Sequence, residues 1–412
     1  PLAVLQPGDF SPWIGLRFAL DGPPGAATYG SVRIHLVRTT PRVELYVSPI
    51  NIDPTRPTQP ISVPTDYAAE LAHHLGRFHT ETIPEDVAAL ESGALDRSAF
   101  QTQLRDALHE RAAQLWFELR QQRAGVLFVH LSAVDLISHT FHREYRVETL
   151  DDLEWRNSIR AVYRAVDELV GRVRRLVDAQ RDGWLLVVSD HGFAPFRRQV
   201  EVNAWLEANG YLTRKIDPTT GNPVRASGLE ALDWSQTRAY AVGLNALYLN
   251  VAGRESAGIV PPTEVPALKA ELQRSLLAWR DPASDEPIFS AIYDSATHYT
   301  GPDPTVAPDL LLGFRRGWRS GWASAEGAVA DVLVHDNPRR WSGDHCIDAA
   351  LVPGVVLSSR PLEGPAARSG RFSLLDMKPT LLHYFGIPLP EASSSSEDPQ
   401  PRRLAGFAWS VR

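Results

Sequence analysis

The chain has 412 residues, 43% of them apolar and 22% charged, which is enough for one large core or two ordinary domains and too apolar for a disordered protein. Its net charge of −7 comes from 42 basic and 49 acidic residues. The arginines are scattered among acids rather than gathered in a stripe, which argues against binding a nucleic-acid polymer. No window approaches twenty consecutive apolar residues, so nothing reads as a membrane span, and the single cysteine, Cys346, excludes an internal disulfide and a thiolate-rich metal cluster.

Along the chain, Ser31 to Val47 alternates Val32, Ile34, Leu36 and then Val43, Leu45, Val47 around a Thr-Thr-Pro turn. That period of two predicts a half-buried hairpin. After the proline-punctuated loop Ile50 to Pro64, "DYAAELAHHLG" and the long run Leu95 to Gly125 repeat their apolar positions at helical spacing. We read residues 1–124 as this hairpin and a helical insertion or cap.

Two apolar, β-branched runs follow, Gly125 to Ser132 and Gly183 to Asp190, with a helical pattern between them over residues 150–180. Strand, helix, strand with both strands apolar on every face predicts a βαβ unit inside a parallel sheet. Weaker strands are expected at "AYAVGLNALYLNV", "PIFSAIY", "DLLLGF" and "GVVLSS", and helices at Pro262 to Trp279 and Ser373 to Phe385. Residues 125–390 thus read as an α/β core, mainly a parallel sheet flanked by helices, and 391–412 as a low-complexity tail.

Both apolar runs end in the same chemistry. "LFVHLSAVDLISH" places Asp135 just past the first, with His139 four residues on, and "LLVVSDHGF" places Asp190 and His191 at the lip of the second. Ligands collect beyond the carboxyl ends of strands in open parallel sheets, so the two pairs can converge on one crevice. Aspartate with neutral imidazole suits Zn²⁺, and also manganese or iron, whereas an all-carboxylate set favours Mg²⁺ or Ca²⁺. A third motif, "NPRRWSGDHCIDAALVPG", sets His345 in a Gly-flanked polar loop with Trp341 and Asp344 beside it. An acid next to a ligand histidine can orient it. His142 reads as a surface or supporting histidine and Asp309 as a structural acid at a strand start.

The order D-x-x-x-H, then SDHGF, then SGDH resembles the alkaline phosphatase superfamily, in particular its type I phosphodiesterase and nucleotide pyrophosphatase branch. "VEVNAWLEANGYL", "YAVGLNALYLNVAGRESAGIV", "VAPDLLLGF" and "LLDMKPTLLHYFGIPLP" are similar to bacterial members in the same order, so the resemblance covers most of residues 1–390. It implies an alkaline-phosphatase-like fold and a two-metal phosphoryl-transfer site for small phosphate mono- or diesters. Asp135, His139 and His345 would bind one ion. Asp190 and His191 would bind the other, which the family completes with an aspartate and a Thr or Ser nucleophile on an N-terminal strand and helix.

No residue here matches those last two, since neither Asp9 nor Asp21 follows an apolar strand. The chain begins at Pro1 and its only methionine is Met377, so we read it as a piece of a longer protein whose nucleophile lies upstream. The resemblance also leaves open a phosphosugar mutase of the same superfamily, or a non-catalytic remnant that binds metal and phosphate. A sulfatase fits less well, because Cys346 lacks the C-x-P-x-R setting.

Overall fold

The computed structural model describes residues 3–23, 25–81, 83–122, 124–145, 150–226, 228–299, 306–362, 370 and 372–388. The tail expected over 391–412 lies outside the described residues. The chain divides into two compact units, Pro1–Val170 with Arg339–Trp341, and Gly171–Pro338 with Ser342–Arg412.

In the first unit, β1 (Ile14–Ala19), β2 (Ala27–Val32) and β5 (Asn51–Ile52) form an antiparallel sheet, while β3 (Ile34–Arg38) and β4 (Glu44–Val47) form the expected hairpin, with Ile34 opposite Val47 and Leu36 opposite Leu45. Helices α1 (Tyr67–Leu75), α2 (Val87–Ser92), α3 (Arg97–Gln121) and α4 (Ala133–Tyr145) follow, and then α5 (Leu150–Asp178), which belongs to this unit as far as Val170. Asp86 caps α2 and Asp96 caps α3, each carboxylate accepting the backbone N–H three residues on. Phe100, Leu104 and Leu108 on one face of α3 pack with Leu136, Ile137 and Phe141 of α4 and Val162 of α5. This apolar contact fixes the helix that carries Asp135 and His139.

The second unit holds β6 (Leu186–Val188), β7 (Ala194–Val200), α6 (Val202–Ala208), β8 (Ala239–Ala241), β9 (Ala246–Leu249), α7 (Val265–Ala278), β10 (Phe289–Asp294), β11 (Leu310–Phe314), β12 (Gly317–Ser320), α8 (Trp322–Ala325), β13 (Val334–Asp336), β14 (Gly343–Asp344), β15 (Val356–Ser358) and α9 (Met377–Tyr384). The four weaker strand candidates and both late helices fall on β8 with β9, β10, β11, β15, α7 and α9. One sheet runs β10-β11-β9-β8, with Leu268, Leu272 and Leu276 of α7 in its core. A second centres on β7, which pairs with β12, β13 and β14, and β15 pairs with β6.

The α/β mixture is as expected, but the mainly parallel sheet is not what the described strands form. Only β12 runs parallel to its neighbour, β7, and the other ladders between named strands are antiparallel. Gly125 to Ser132 forms no ladder among the described residues, so the βαβ unit is absent there. Val126 is 57% exposed and Phe128 85%. An apolar run states a preference for burial, whereas a strand also needs a neighbour to take its backbone N–H and C=O groups, and no described strand supplies one.

Phe100 is fully buried at the centre of the α3–α4 contact. Phe100→Ala is expected to destabilise the first unit by about 3–5 kcal/mol in urea unfolding. A loss under about 1 kcal/mol, the range of a surface change, would contradict its central place.

Candidate metal centre

On α4, Asp135 and His139 stand one helical turn apart, with Asp135 Oδ2 3.6 Å from His139 Nε2. The His139 ring is buried and lies over the indole of Trp341, ring centres 3.8 Å apart at 22°. Trp341 is held in turn by its backbone N–H, which donates to Glu91 Oε1 of α2 at 3.0 Å. Packing therefore fixes the imidazole while the half-buried Asp135 keeps a face toward solvent.

In the second unit, the turn Ser189–Gly192 joins β6 to β7. Ser189 N–H donates to the Val355 carbonyl at 3.0 Å and Gly192 N–H to the Val352 carbonyl at 2.8 Å. The approach is so close that a Cβ on Gly354 would stand 2.3 Å from the Ser189 oxygen, and one on Gly192 2.8 Å from the Pro353 oxygen. Glycine is needed at both places for the turn carrying Asp190 and His191 to seat against Val352–Gly354.

Pairing of β14 with β7 then delivers the third motif. Asp344 lies opposite Ala194 and Gly343 opposite Pro195. Phe196 N–H donates to the Ser342 carbonyl at 2.9 Å. The next residue, His345, meets His191 with ring centres 3.5 Å apart at 10°, and Phe193 stands edge-on to both rings.

His191 Nδ1 is 3.2 Å from the Gly192 carbonyl oxygen, which can only accept, so Nδ1 is the donor in this contact. His191 Nε2 is 3.5 Å from Asp190 Oδ2, whose side chain is 69% exposed. An imidazole nitrogen beside an open carboxylate is a donor set that suits a divalent transition metal, with the backbone carbonyl orienting the ring through its other nitrogen.

Asp344, His345 and Cys346 also bring ligand atoms within 4.8 Å of one another. Asp344 is already engaged, however. Its Oδ1 accepts from the N–H groups of His345 and Cys346, each at 2.8 Å, and its Oδ2 is 3.0 Å from Arg319 Nη1. It supports the backbone beside His345. Asp309 is structural, as expected: its carboxylate takes Arg254 through both oxygens and accepts the Leu249 N–H. His142 is half-buried on α4, and Asp9 and Asp21 are exposed.

The family model for type I phosphodiesterase / nucleotide pyrophosphatase matches residues 39–336. The chain belongs to this family. No curated protein and no solved structure matches it. This type I phosphodiesterase family, within the alkaline phosphatase superfamily, is one of phosphate ester hydrolases that act on small phosphate esters and typically depend on metal. No helix among the described residues is long and apolar enough to cross a membrane. The match includes Asp135, His139, Asp190 and His191 and stops before His345, so His345 enters through its contact with His191 rather than through the family model.

Burial of charged residues is not legible in the sequence, Arg319 and Glu85 among them. Arg319 lies within "RRGWRSGW", which reads as a surface turn, and Glu85 within "IPEDVAAL", which reads as a helix start. Glu85 is 2% exposed, and neither carboxylate oxygen has a hydrogen-bond partner among the described residues. Burial pushes its carboxyl up to about 7 from an ordinary 4.5; its own backbone N–H, His79 and Arg111 oppose the rise, and Asp135 adds to it.

Because the folded value lies above the unfolded one, the stability this neutral group contributes is complete below about 4.5, falls between 4.5 and 7, and is lost above 7. Glu85→Gln is therefore expected to leave stability at pH 4 nearly unchanged and to raise it at pH 8 by on the order of 3 kcal/mol, at about 1.4 kcal/mol per pH unit. Urea unfolding at the two pH values checks this, and an equal effect at both would contradict it.

Proposed function

We propose that this chain carries the metal-binding machinery of a phosphodiesterase or nucleotide pyrophosphatase that works through two divalent ions, zinc in the first place, with manganese or iron as alternatives. Asp135, His139 and His345 would hold one ion, and Asp190 and His191 the other. The observation that carries this reading is the His191–His345 contact beside Asp190, in a chain of this family. When bound, such ions stabilise negative charge on a phosphoryl group and lower the pKa of an attacking oxygen.

The chain's own residues prepare for this. The Gly192 carbonyl orients the His191 ring through Nδ1, and Trp341 holds the His139 ring. Asp135 and Asp190 supply carboxylates that repel an anionic ester until cations offset them, in a chain whose net charge of −7 gives no general attraction. Residues 1–124 would serve as a cap over this machinery. No residue of this chain is assigned as nucleophile.

Calorimetric titration of the metal-stripped protein is the test. Zinc is expected to bind, and His191→Ala and Asp135→Ala each to weaken a site at least about tenfold, since even outer-shell partners are worth that much. Zinc-dependent hydrolysis of bis(nitrophenyl) phosphate that His191→Ala abolishes supports the diesterase; zinc-dependent phosphate binding without turnover supports a binding role. No zinc uptake, or uptake indifferent to both substitutions, overturns the proposal.

A further inference from the structure

Arg319 stands on β12 opposite Gln199 of β7 and is 1% exposed, among the largest fully buried side chains. Its guanidinium carbon lies 5.1 Å from the ring centre of Phe196 and 4.4 Å from that of Trp322. Nη1 is 3.0 Å from Asp344 Oδ2, and Asp344 is buried as deeply. Taking two charges out of water costs several kcal/mol for each, and their attraction seldom exceeds that, so a hydrophobic pair of similar volume would serve packing as well. The pair therefore asks for an account in terms of orientation.

Such an account follows from how the Asp344 carboxylate divides its contacts. One oxygen meets Arg319, and the other accepts the N–H groups of His345 and Cys346. Anchoring Oδ2 on a planar cation fixes the carboxylate plane, and Oδ1 then fixes the backbone from which the His345 ring projects. Arginine suits this role because its flat guanidinium can lie against the rings of Phe196 and Trp322, which a compact ammonium could not match.

We infer that Arg319 is a positioning residue for His345, acting through Asp344 to hold the imidazole against His191. Its consequence for metal binding rests on the reading above, while the positioning itself does not. The double variant Arg319→Met/Asp344→Asn removes both charges, keeps an acceptor for the two N–H groups and is expected to fold.

Two readouts apply. In metal-free, histidine-labelled protein, the His345 ring-proton resonance, assigned with His345→Ala, reports the stack on His191, and zinc titration reports the consequence. The double variant should move that resonance toward its unstacked position and lower zinc affinity about 10–100-fold. A folded double variant with the resonance unmoved and zinc affinity within twofold of wild type overturns the inference. Wild-type protein that takes up no zinc, with a resonance that still moves in the variant, upholds the positioning and sinks the metal reading. Should the double variant not fold, Arg319→Lys carries the same comparison: a shifted resonance supports the inference and an unshifted one overturns it.

Discussion

The candidate centre of the second unit depends on the two occupied edges of strand β7. β12 runs along one course of hydrogen bonds, and β13 and β14 pair antiparallel with β7 at successive positions. Asp190 and His191 lie in the turn before β7, and His345 directly follows Asp344, the last residue of β14. The register of Asp344 opposite Ala194 therefore converts a long sequence separation into contact between two imidazole rings. Because side chains alternate with period two, a slip of one residue would turn His345 away from His191. The same strand reaches Arg319 through β12, so one ladder system sets both the ligand candidates and the buried cation behind them.

The electrostatics follow the same division. Acids at the site are either committed or open. Asp344 is engaged by Arg319 and two backbone donors, whereas Asp190 stays exposed with an oxygen 3.5 Å from His191 Nε2. In the first unit, Asp135 is the open acid, and Glu85, sealed from water, stays largely neutral up to about pH 7. Open carboxylates next to imidazoles attract cations and repel phosphate esters. On the proposed reading, such a site would need cations before it could take an anionic ester.

Much of this was legible in the sequence, and the rest was hidden for physical reasons. The Asp-x-x-x-His and Ser-Asp-His-Gly spacings are local, so Asp135 with His139 and Asp190 with His191 could be read directly, as could the hairpin at Ile34 to Val47 and a helix within Pro262 to Trp279. Strand partners are non-local. The run Gly125 to Ser132 has the composition of a central strand, yet forms no ladder among the described residues, and the neighbour of Leu186–Val188 is antiparallel β15. Arg319 and Glu85 escaped notice because residue type argues for the surface, and only the packing of Phe196 and Trp322, or the closure of the α2 and α3 region, buries them.

X-ray absorption at the zinc edge of the metal-loaded protein reads the ligands themselves. The account predicts a shell of nitrogen and oxygen at about 2.0–2.1 Å with the outer scattering of imidazole rings. A sulfur shell near about 2.3 Å would place Cys346 on the metal instead, and with no imidazole scattering the assignment of His191 and His345 would fail.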